Sequence, residues 1–168
     1  MFKFLTDHII KLFIDPPKLK VIEPFGEMKY TNKEWFRSVE GISPNHKIEL
    51  GICVNNPDDD LTEKVLLINE FVQDYDLIVL NLYSLIFEHY KKLKLEKTEE
   101  KIEKMYFLSA LSLQKDHSWW LVMEPAYDVE SVYNYFIRFT MIGREIVWKN
   151  LSSTQISRGS ARLRKVEN

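Results

Sequence analysis

The chain has few of the residues from which common active sites are built. It holds one cysteine, five glycines and four histidines in 168 residues. A lone Cys53 excludes an internal disulfide and a cysteine-rich zinc site. The glycines are scattered, so no Gly-rich loop can cradle a phosphate. Neither a G-x-S-x-G nor an H-E-x-x-H motif occurs. His8, His46, His89 and His117 fall on four different segments, and none stands at a ligand spacing from another His, Asp or Glu. Glu88 and His89 are neighbours, so on a helix their side chains diverge. No uninterrupted apolar run approaches the length needed to span a bilayer. Excess charge of one sign is also missing: 23 basic against 25 acidic side chains leave a net charge of -2. That balance argues against nucleic acid as a partner.

What is present is a strongly apolar chain, 45% hydrophobic and 13% aromatic, with the composition of a globular domain. Its acidic excess is local. Residues 58–104 carry twelve acidic and seven basic side chains, whereas residues 151–168 carry one and four. Residues 1–17 read as an amphipathic helix ended by Asp15-Pro16-Pro17. The segment Met1–Ile14 has too few cations for firm membrane attachment, so the expectation is a helix docked on the body. No cleavage site follows it, which leaves a cytoplasmic protein as the expected setting.

Residues 18–30 look extended, with a bend at Pro24-Phe25-Gly26, and Lys29–Val39 forms a further strand. Lys47–Asn55 alternates cleanly: Ile48, Leu50, Ile52 and Val54 share one face, and Lys47, Glu49, Gly51 and Cys53 the other. From Asp58 to Leu95 there is neither Gly nor Pro. Apolar positions 65, 68, 72, 75, 79, 82, 86, 90 and 93 form a helical stripe, and Asp74 and Asp76 mark the place where a bend or a break into two helices is expected. Thr98 can cap a short following helix. The period then returns to two. Phe107–Leu113 and Trp119–Glu124 flank a turn at Lys115–Ser118, Val129–Met141 alternates again, and Glu145–Lys149 ends the sheet. The expected fold class is α+β: an antiparallel sheet of about six strands, a long central helical layer on one face and an N-terminal amphipathic helix. Residues 18–150 form one domain, followed by a polar basic tail over 151–168.

No residue qualifies as catalytic, cofactor-binding or metal-ligating, and no cofactor is expected. Asp58, Asp59 and Asp60 lack the ligand spacing and Gly of a calcium loop, and helix capping explains them. Asp116 and His117 lack a partnered nucleophile. Cys53 sits in an alternating run and reads as a packed thiol. Two candidate interfaces remain. One is the acidic helix entrance of Asp58, Asp59, Asp60 and Glu63. The other is the aromatic C-terminal sheet, with Trp119, Trp120, Tyr133, Tyr135 and Arg138, where alternation forbids one core from holding every ring.

The Pro24-Phe25-Gly26 start, the Lys47–Asn55 strand, the long apolar helix and the Phe136–Trp148 strand pair resemble a loose group of small bacterial domains. The likeness spans residues 22–150. Some of these domains are encoded beside polymorphic toxins and are thought to act as immunity proteins. The resemblance implies a protein-binding module with another protein, such as a toxin, as partner. Other readings of the residues are a small-ligand binder or enzyme with a pocket between sheet and helix, a peripheral subunit anchored by residues 1–14, and a homo-oligomer joined through an uncovered face.

Overall fold

The computed structural model describes residues 17–126 and 136–148. They form one eight-stranded sheet in which the strands lie side by side in chain order. These are β1 (Leu19–Ile22), β2 (Gly26–Thr31), β3 (Glu34–Val39), β4 (Ile48–Cys53), β5 (Tyr106–Leu113), β6 (Trp119–Pro125), β7 (Ile137–Ile142) and β8 (Glu145–Trp148). Between β4 and β5 the chain forms α1 (Thr62–Gln73), α2 (Tyr75–Lys92) and α3 (Glu99–Met105). Six of the neighbouring pairs are antiparallel, and β4 with β5 is parallel.

This corrects the expectation of about six antiparallel strands. Two features account for the difference. First, the N-terminal extended region folds into three strands. A turn in which Phe25 N–H donates to Ile22 O (2.8 Å) reverses the chain into Gly26, at φ +80° beside the Arg37 guanidinium. A second reversal lies at Asn32-Lys33, whose φ values of 51° and 63° are those of a two-residue hairpin turn. Second, the helical segment carries the chain back to the end of the sheet where β4 began, so β5 must run parallel to β4. The helical layer is also not one long helix. It breaks at Asp74, whose N–H donates to Glu70 O while its own carbonyl accepts from Ile78 N–H. The expected helix over residues 1–17 and the tail over 151–168 lie outside the described residues, as does most of the run Val129–Met141 before Ile137.

The core lies between the helices and one sheet face. Across β3, β4, β5, β6 and β7 the in-register set Trp35, Ile52, Leu113, Trp119 and Met141 is buried. Ile68 and Phe71 of α1, and Ile78, Val79, Leu82, Ile86 and Tyr90 of α2, pack on that face. Phe71 meets the Trp119 ring at 4.9 Å. Tyr90 and Tyr106 share a buried hydroxyl hydrogen bond of 3.0 Å. Thr98 caps α3 by accepting from Lys101 N–H. Among the described residues no helix is long and apolar enough to cross a membrane.

The hairpin turn gives a direct check. Lys33 holds a left-handed conformation that costs a non-glycine residue about 1 kcal/mol. The variant Lys33→Gly should gain about 0.5 kcal/mol after its extra unfolded-state entropy. Urea unfolding measures this, and a loss of stability would contradict the assigned turn.

Candidate functional site

Pairing carries one row of side chains across the whole sheet on the face turned away from the helices. It runs Leu19, Lys29, Phe36, Gly51, Ser112, Trp120, Thr140, Val147, one residue per strand. Large side chains flank a small centre. Phe36 and Trp120 stand as walls, 37% and 44% exposed, and between them Gly51 and Ser112 leave a notch of about 130 Å3. The adjacent row supplies Glu49, Ala110, Val122 and Arg138 to the same notch. Arg138 lies 5.4 Å from the Trp120 ring centre, a cation–π contact that orients both.

Glu34 closes one end of the notch. Its carboxylate fills the space above Gly51 that a side chain at that position would take. Ser112 Oγ donates to Glu34 Oε1 at 2.6 Å, and Gln114 Nε2 donates to Ser112 Oγ at 2.9 Å. Cys53 Sγ lies 3.8 Å from Glu34 Oε1 and 3.7 Å from Gln114 Oε1. Burial pushes the Cys53 thiol up, and the nearby Glu34 charge adds to that, against a lowering hydrogen bond to Ser112. A thiol held protonated is a poor nucleophile. The cluster therefore braces the notch and holds its thiol toward the protonated form.

The structure separates the two tryptophans. Trp119 is 4% exposed and points into the core, so only Trp120 belongs to this face. Arg138 joins it. Tyr133 and Tyr135 lie outside the described residues. Glu34, Phe36, Gly51 and Ser112 complete the notch and carried no sequence signal as a group, since they come from strands far apart in the chain.

The acidic entrance to α1 has a different use. Asp59 Oδ2 accepts from the N–H groups of Asn55 and Asn56 at 2.8 and 3.0 Å. Asp60 Oδ1 accepts the N–H and hydroxyl of Thr62 at 3.0 and 2.7 Å. These bonds hold both carboxyls below the usual range. Asp60 thus supplies part of the expected cap, while Leu61 at the cap position has no side-chain bond. Glu63 Oε1 lies 3.6 Å from His117 Nδ1. Cations interleave this cluster: Lys115 acts on Asp59, Lys20 on Asp60, and Lys64 has Glu63, Asp116 and Asp59 around it. Asp58 is exposed. Asp116 turns to Ser118, accepting its N–H and hydroxyl, and forms no acid–base pair with His117.

A larger cavity of about 770 Å3 lies on the helical side, between the 43–46 loop, α2, α3 and the start of β5. His46, Tyr75, Asp76, Tyr83, Glu103 and Phe107 are among its lining residues. Among the described residues no group of three or more His, Cys, Asp or Glu side chains could hold a metal ion.

A search of protein families, of curated proteins and of solved structures returns no match to this chain. The likeness to toxin-associated bacterial domains rests on the sequence pattern alone.

Two measurements check the notch. Gly51→Ala would force the Glu34 carboxylate aside and break its bond with Ser112, at a cost of about 1–2 kcal/mol for the stranded polar groups. Unchanged thermal unfolding would contradict this contact. Cys53 should react with iodoacetamide at pH 8 more slowly than a cysteine in an unfolded peptide, and speed up only as pH rises above the ordinary thiol range. Equal rates at pH 8 would show that the thiol is not packed as described.

Proposed function

We propose that this protein is a cytoplasmic binding module that holds a partner protein against the sheet face turned away from the helices, in the manner of an immunity-type inhibitor of a toxin. The observation that carries this reading is the notch between Phe36 and Trp120. It combines a rigid floor, two exposed aromatic walls and an arginine stacked on one of them. Trp and Arg dominate the energetics of known interfaces, and a preformed sheet loses little entropy on binding.

The notch also suggests the partner's chemistry. Ala110 and Val122 form the apolar part of its floor, the Glu34 carboxylate lies over Gly51, and Glu49 is also in the lining. An apolar side chain on a basic surface fits this arrangement. The acidic excess of residues 58–104 belongs to the helical layer on the other face of the sheet and is not part of this contact. The acidic loop at α1 is internally bonded and interleaved with lysines, which leaves it a structural cap.

Photo-crosslinking tests the proposal. A benzoylphenylalanine replaces Phe36 or Trp120 in turn, and Glu88 on the exposed side of α2 as a control, in cells of the source organism. The expected result is one discrete adduct, with a basic protein, from positions 36 and 120 and not from 88. Trp120→Ala should then weaken the recovered complex by about 2 kcal/mol, the loss typical of an interface hot spot. No adduct from either notch position, or the same adduct from position 88, would refute the proposal.

A further inference from the structure

The cavity on the helical side has a lining whose chemistry is selective. At about 770 Å3 it falls within the range of small-molecule sites, roughly 300–1,000 Å3. It lies on the opposite side of the sheet from the notch, so it does not depend on what the notch holds.

Its walls are aromatic. Tyr75 and Tyr83 project from one face of α2, eight residues apart. The His46 ring stacks on Phe107 with centres 4.6 Å apart, on the side of β5 away from Tyr106, and closes the sheet end of the cavity. Tyr83 donates its hydroxyl hydrogen to Tyr106 O at 3.1 Å, which fixes its ring against the floor. Two carboxylates, Asp76 and Glu103, share the lining. They lie close enough to be felt by the phenols. Burial raises Tyr75 and Asp76 raises it further, while Tyr83 is pushed up to about 12 by burial, with Tyr75 and Glu103 adding to it. Both phenols therefore stay neutral through the physiological range.

Positive charge is scarce there. Lys104 is the one Lys or Arg in the lining among the described residues, and its ammonium is held 2.6 Å from Glu100. An anionic ligand would meet two carboxylates and no uncommitted ammonium. A cation would meet ring faces and opposite charge together, the combination that recognises ammonium groups.

We infer that this cavity is a binding site for a small organic cation, an amine or quaternary ammonium compound carrying an apolar group, held by the Tyr75 and Tyr83 rings and by Asp76 and Glu103. The apolar group packs on Val79 and Leu80, and the charged nitrogen sits toward the two carboxylates.

Amide NMR spectra of the full chain, recorded during titration with benzyltrimethylammonium and separately with benzoate, provide the test. Benzyltrimethylammonium should shift resonances of the 43–46 loop and of the start of α2 saturably, and benzoate should not. The double variant Asp76→Asn, Glu103→Gln should lower the affinity about threefold to tenfold, the loss expected when two exposed counter-charges are removed beside a cation. Circular dichroism establishes that the variant is folded. Should it not fold, raising salt on the wild-type protein replaces it, and binding must weaken as ionic strength rises. Equal binding of benzoate, shifts confined to another face, or an affinity indifferent to both the variant and salt would overturn the inference.

Discussion

The parallel pairing of β4 with β5 is the constraint from which the rest of the structure follows. A parallel pair cannot be closed by a tight turn and needs a crossover. Here the crossover is the whole helical segment, α1 through α3. It lies on one face, so the two faces of the central strands meet different surroundings. Leu50 opposite Leu111 and Ile52 opposite Leu113 go under the helices and are fully or almost fully buried. Gly51 opposite Ser112 goes to the other side. The same pairing that builds the core therefore places the two smallest members of the outer row side by side, and the notch is their consequence.

Small residues at the sheet centre would leave it thin unless something filled the space. Glu34 does so from the neighbouring strand, over Gly51 and against Ser112. A carboxylate in that position needs donors, and Ser112 and Gln114 form the chain that supplies and orients them. The cluster is local and polar, yet it depends on three strands holding register. On the opposite face the Tyr90–Tyr106 bond and the Tyr83 bond to Tyr106 O tie α2 to the first residue of β5. These bonds also set the wall of the aromatic cavity. The sheet thus carries two chemically distinct concavities, one on each side.

Much of this was legible in the sequence, and the reasons for the rest are physical. The alternation of Lys47–Asn55 reported the faces of β4 correctly, because among the described residues the helices cover one face and not the other. The stripe through Ile68, Val79, Leu82, Ile86 and Tyr90 identified buried helix positions, and the aspartates marked the break at Asp74. Strand direction was not legible, since side-chain periodicity is two in parallel and antiparallel strands alike. The turn at Asn32-Lys33 was hidden because it uses a lysine at positive φ where glycine would have announced it. Alternation required Trp119 and Trp120 to part, but which of them entered the core depended on the register with β5. Both concavities escaped local reading because their walls come from segments that meet only after folding.

The β4–β5 register is open to a direct observation. Backbone nuclear Overhauser contacts in the folded chain should link Glu49 with Ala110, Gly51 with Ser112 and Ile52 with Leu113, rising together along both strands. Contacts that ran in opposite directions, or that joined Gly51 to a strand other than β3 and β5, would contradict the crossover and remove the floor of the notch with it.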